Sequence, residues 1–161
     1  MTTDIIPLTE TFDFTTVPSW YVLCTNSECP LRKDCLRYLA GSNAPDSLES
    51  ALCVMPATLK NGQCRLFDEK KVVVKAYGFS LLYEHVLKKD YTAIRKSITK
   101  YLHGAKMYYE YKRGERFLKP EQQQWIRELL KSFGYEWEVP FDRCIKDYDY
   151  RAASPIDEDD D

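Results

Sequence analysis

Three cysteines crowd into twelve residues, Cys24-TNSE-Cys29-PLRKD-Cys35, and this run constrains the fold more than any other feature of the chain. Free thiols often serve as small buried hydrophobes. The residues between these are polar, however (Thr25, Asn26, Ser27, Glu28, Arg32, Lys33), which suits a ligand loop better than a core strand. A short loop that gathers soft thiolates is the arrangement that Zn²⁺ and [4Fe–4S] clusters take. The expected cofactor is therefore zinc or a [4Fe–4S] cluster, held by Cys24, Cys29 and Cys35 with a fourth ligand from further on. Cys64 is the best fourth ligand because it follows the Asn61–Gly62 turn, and Cys53 is the alternative. His85 and His103 fall in or at the ends of predicted helices, and Cys144 is remote.

The opening MTTDIIPLTETFDF has neither a basic nor an apolar leader region, and no apolar run approaches the roughly 20 residues that span a bilayer. The expectation is a cytoplasmic protein with no membrane role. There the six cysteines would stay reduced rather than form a disulfide framework.

The pattern along the chain predicts an α+β fold: a cysteine-rich knuckle and a short sheet packed with three or four helices. Expected segments are a flexible lead-in at 1–17, a metal-binding region at 18–67, a mixed strand and helical region at 68–145 and an acidic disordered tail at 146–161. Strands are expected at 19–23 and 71–77, in a small antiparallel sheet whose strand order the sequence leaves open. A short helix is expected over 34–40, with Asp34 near its start and Gly41 after its end. Apolar spacing predicts further helices over 79–87, over 91–102 with Asp90 as N-cap, and over 120–133 with Pro120 in the first turn and Gly134 as the stop.

Charge is distributed unevenly. Residues 88–120 carry 10 Lys/Arg against 3 Asp/Glu, whereas residues 121–161 carry 5 against 12. Within the basic stretch, Lys96, Lys100, Lys106, Lys112, Arg113, Arg116 and Lys119 are interleaved with Tyr108 and Tyr109. Cations neutralise phosphates and rings stack on bases, so residues 95–119 are a candidate nucleic-acid surface. The competing reading is a solvated face with core tyrosines. The segment YEYKRGERFLKPEQQQWIRELLKSFGY also resembles the end of a repressor-type helix-turn-helix domain. Tyr111, Arg113, Gly114 and Arg116 match its closing turn, and 120–133 matches the helix that follows.

The Cys-x5-Cys half of the cysteine run resembles the final pair of the iron–sulfur loop in endonuclease III-type DNA glycosylases, over a dozen residues only. A broader likeness rests on Cys-x4-Cys-Pro-x4-Cys-Leu-Arg, Tyr-Tyr-x-Tyr-x-Arg-Gly-Glu-Arg and Pro-Glu-Gln-Gln-x-x-Ile. Over residues 20–145 these resemble a small bacterial domain-of-unknown-function family from gut anaerobes. That resemblance implies no activity, and it implies Cys24, Cys29, Cys35 and Cys64 as the family-typical cysteines. No phosphate-binding glycine loop, nucleophile elbow or HExxH is present, so the sequence leans away from an enzyme. The reading is a metal-binding module whose partner is nucleic acid. The alternatives are a scaffold with structural zinc and a protein partner, or an iron–sulfur redox protein.

Overall fold

The computed structural model describes residues 3–151, and the chain in it has an α+β fold that divides into two compact units. The helical unit comprises Met1–Leu8 and Val73–Asp147; the cysteine unit comprises Thr9–Val72 and Tyr148–Asp161. Of the acidic tail expected at 146–161, residues 146–148 belong to a strand, and residues 152–161 lie outside the described residues.

The helical unit is organised by apolar periodicity. Helix α2 (Lys88–Tyr101) buries Ile94 and Ile98, and α4 (Pro120–Ser132) buries Ile126 and Leu130. Between them runs α3 (Ala105–Lys112), which buries Tyr108. The stripes meet Ala76, Phe79, Leu82, Leu102, Leu118, Val139, Phe141 and Cys144 in one core. The sheet has the order β1 (Ile5–Ile6), β6 (Arg143–Tyr148), β4 (Val72–Tyr77), β5 (Phe117–Leu118). It is mixed: β1 runs parallel to β6, and β5 antiparallel to β4. The buried Gln123 amide ties α4 to this sheet, donating to the Val74 and Leu118 carbonyls at 2.8 Å each. Lys75 and Asp147 pair at 2.7 Å with both side chains largely buried.

The cysteine unit has little regular structure. It holds α1 (Leu36–Ser42) and a hairpin of β2 (Leu59–Lys60) and β3 (Gln63–Cys64), with short 3₁₀ turns at Phe14–Thr16, Arg32–Asp34 and Pro56–Thr58. Asn61 and Gly62, with φ of 52° and 74°, make the tight turn that their dipeptide predicts. The unit's buried apolar set is small: Tyr21, Leu23, Leu36, Ala40 and Tyr150.

Several sequence expectations are corrected. Residues 19–23 form no strand; only Leu23 bridges, to Cys53, because turn bonds such as Tyr21 N–H to the Pro18 carbonyl curl the segment. The short helix starts later, at Leu36, and Gly41 lies inside it. A Cβ on Gly41 would sit 2.1 Å from the Cys24 carbonyl oxygen, so glycine permits the close approach of that loop. Residues 79–87 are successive turns, not a helix, with i to i+3 bonds at Leu82, Glu84 and Val86. Phe79 and Leu82 are still buried, which satisfies the apolar pattern without helical geometry. Asp90 is not the α2 cap: the helix begins at Lys88, and Asp90 accepts from the Tyr135 hydroxyl. The lead-in is anchored, since Ile5–Ile6 pair with Cys144–Ile145 and Phe12, Phe14 and Val17 pack on the small core.

Candidate functional site

Two places gather the chemistry-bearing residues, one in each unit. In the cysteine unit, Cys24, Cys29, Cys35 and Cys64 all border one cavity of about 20 Å³. Local structure explains how. Asn26 closes a turn, with its side-chain oxygen accepting from Glu28 N–H at 3.1 Å and its carbonyl accepting from Cys29 N–H. The 3₁₀ turn Arg32–Asp34 carries the chain from Cys29 to Cys35, which is bridged to Glu69. The Asn–Gly hairpin delivers Cys64. Cys24 is fixed by its N–H bond to the Arg37 carbonyl at 3.0 Å. Leu31, Val54, Leu66 and Phe67 complete the apolar wall.

The crowding of thiols bears on Cys24. Burial pushes the Cys24 thiol above its ordinary range, and Cys35, Cys29 and Cys64 add to the rise. The Asn26 backbone N–H pulls the other way by donating toward the sulfur. Among the described residues, no group of three or more His, Cys, Asp or Glu side chains forms a ready-made metal site. The sulfurs thus share a cavity without closing on one point. All six cysteines are free. Cys53 is exposed, while the adjacent Val54 faces the cavity, so the alternative fourth ligand stands outside it. Cys144 belongs to the core of the helical unit.

Beside the thiols lies a residue that the sequence reading passed over. Arg37 borders the same cavity and is buried, at 3% exposure. Its guanidinium donates to the carbonyls of Leu66, Val22 and Arg151 and stands 4.7 Å from the Tyr21 ring centroid. Among the described residues no carboxylate comes within ion-pair distance of it. The nearby buried Asp68 accepts instead from the Tyr21 hydroxyl at 2.7 Å. An arginine on the buried face of a short helix was the available signal.

In the helical unit, the basic segment does not form one continuous patch. Arg113 is paired with Glu115 at 2.7 Å, Arg116 is paired with Glu110, and Lys106 lies 4.0 Å from Glu110. Lys112 lies over the Tyr83 ring. Lys119 immediately precedes α4, its N–H donating to the Gln122 side chain. The turn at Gly114 leads into β5, which pairs with β4, so a sheet strand separates α3 from α4. Lys96 and Lys100 instead join Arg95, Tyr91, Tyr108 and Tyr109 around a cleft of about 450 Å³ between α2 and α3. Arg95, Tyr91 and the threonines Thr92 and Thr99 were missed because the cleft they line forms only where α3 packs along α2.

The geometry defines a chain of two parts, a packed α+β unit with a cationic cleft and a thiol-lined unit with a sparse core. The chain belongs to a family of unknown function, DUF6078, whose model matches residues 8–150. No curated protein and no solved structure shows significant similarity to it. Among the described residues, no helix is long and apolar enough to cross a membrane.

Proposed function

We propose that the protein is a metal-dependent binding module in which Cys24, Cys29, Cys35 and Cys64 hold one zinc ion. The observation that carries this reading is the convergence of four thiols, from two separate stretches of chain, on one small cavity. Its volume of about 20 Å³ admits a single water-sized body, which matches one ion better than a four-iron cubane. A Zn²⁺ with four thiolates carries two net negative charges, and Arg32 and Arg37 stand on the same cavity wall to balance them. That countercharge also gives the buried Arg37 guanidinium a reason to be there. Four protein ligands leave no open coordination position, so the ion's role is structural and the module acts through its surface.

Metal analysis of the purified protein tests this. About one zinc per chain is expected, lost in Cys24→Ser, Cys29→Ser, Cys35→Ser and Cys64→Ser but kept in Cys53→Ser and Cys144→Ser. A metal-free, folded protein would sink the reading. A brown sample containing iron and sulfide would replace the ion with a cluster.

A second reading, nucleic-acid contact through residues 95–119, is favoured by one observation: Lys96 and Lys100 share a cleft with Tyr108 and Tyr109. The ion pairs of Arg113 and Arg116 narrow it to that cleft. Salt-sensitive binding of a single-stranded oligonucleotide is its test, and no binding at low salt removes it.

A further inference from the structure

The cleft between α2 and α3 is a built cavity rather than a stretch of basic surface. Its volume of about 450 Å³ falls within the roughly 300–1,000 Å³ of small-molecule sites. Arg95, Lys96 and Lys100 all line it, and among the described residues none of the three forms an ion pair with a carboxylate. Three like charges around one cleft repel each other unless an anion joins them. The Arg95 guanidinium is held in place by the Tyr109 hydroxyl at 2.6 Å and lies within 6 Å of the Tyr108 and Tyr109 ring centroids. Tyr108 is itself locked, with its hydroxyl 2.8 Å from that of Tyr83 and its ring edge-on to Phe79. The wall is therefore both cationic and aromatic, and it is organised before any ligand arrives.

We infer that this cleft binds a nucleoside diphosphate, its base against the tyrosine wall and its phosphates among Arg95, Lys96 and Lys100. A diphosphate matches three cations better than a monophosphate does, since one phosphate carries about −1.5 to −2. The base adds stacking on Tyr109, which is partly exposed. Gly104, which caps α3 without a side chain, leaves the first-turn N–H groups open beside the cations. This inference deepens the nucleic-acid reading for the same cleft and does not depend on the metal.

Calorimetric titration of the full chain with ADP, GDP, CDP and UDP, alongside the matching nucleosides and pyrophosphate, tests it. At least one diphosphate should bind at least tenfold tighter than both its nucleoside and pyrophosphate, and more weakly as salt rises. Lys96→Ser/Lys100→Ser changes two exposed side chains, so a normal circular dichroism spectrum with at least tenfold weaker binding is expected. Tyr109→Ala should bring the diphosphate down toward the affinity of pyrophosphate. Pyrophosphate binding as tightly as every diphosphate would overturn the inference, and so would unchanged binding in the double lysine variant. An oligonucleotide that binds while no diphosphate does would also overturn it, leaving the second reading in place. Failure of both ligand classes would remove the two together.

Discussion

The two units are stabilised in different ways. The helical unit buries thirteen apolar residues around three helices and a four-stranded sheet, so removal of apolar surface from water is its main support. Among the described residues the cysteine unit buries seven, two of them the thiols Cys29 and Cys35, with one seven-residue helix and a two-residue-per-strand hairpin. Such a core is too small to order some sixty residues of chain on its own. Both units bury polar groups, Lys75 and Gln123 in one and Arg37 and Asp68 in the other, but only the cysteine unit adds four thiols on one cavity, two of them buried. One unit depends on apolar packing; the other, on the reading proposed above, depends on coordination.

The sharpest way to break this comparison is to remove the metal. Chelation should raise amide exchange throughout residues 9–72 while leaving α2 and α4 protected, because structural zinc supplies on the order of 10 kcal/mol to a small fold. Equal exchange before and after chelation would erase the contrast. Next in size, Leu130→Ala or Ile126→Ala should cost about 2–5 kcal/mol in denaturant unfolding, with zinc content unchanged. Gly41→Ala puts a methyl group against the Cys24 backbone. It should cost about 1–3 kcal/mol and weaken metal retention, whereas Gly62→Ala, which meets open space, strains only its positive-φ turn and should retain the ion. Asp68→Asn keeps the shape but removes the charge that receives the Tyr21 hydroxyl. A loss of about 1–2 kcal/mol, confined to the cysteine unit, is expected.

The smallest effect is a pH dependence. Burial holds the Cys24 thiol above its ordinary range, so its proton must leave before an ion can bind. Acid competes for the thiolates, so zinc should be released as pH falls, and the loaded protein should melt at lower temperature in acid, as followed by metal analysis and thermal unfolding at each pH.

What the sequence disclosed follows the same division. Helices α2 and α4 were readable because Ile94 and Ile98, and Ile126 and Leu130, stand one turn apart in helices of 14 and 13 residues. The hairpin was readable from Asn61–Gly62, and β4 from its valines. Strand β6 escaped because Arg143–Tyr148 buries only Cys144 in the core and is half charged, with Arg143, Lys146 and Asp147, which looks like loop. The lead-in escaped because its partners are far along the chain: Ile5 pairs with Cys144, and Phe12 meets the Tyr148 ring at 5.9 Å. The convergence of Cys64 with the other thiols was legible from its turn. The place of Arg37 was signalled only by its position on the buried face of a short helix, because its acceptors, the Leu66 and Val22 carbonyls, lie on other stretches of chain. Arg95 was hidden for a different reason: its cleft exists only once α3 folds back along α2.

The route of the chain has a consequence for its birth on the ribosome. All four candidate ligands lie between positions 24 and 64 and emerge while most of the helical unit is still untranslated. The strand Ile5–Ile6, by contrast, must wait for Cys144 and Ile145 before it can pair. On the metal-binding reading proposed above, a nascent chain would capture its ion early, from local loops with short closure distances, and complete its sheet last. A cell starved of zinc would then meet the defect during synthesis, with thiols exposed on an unfinished polypeptide, rather than in the finished molecule.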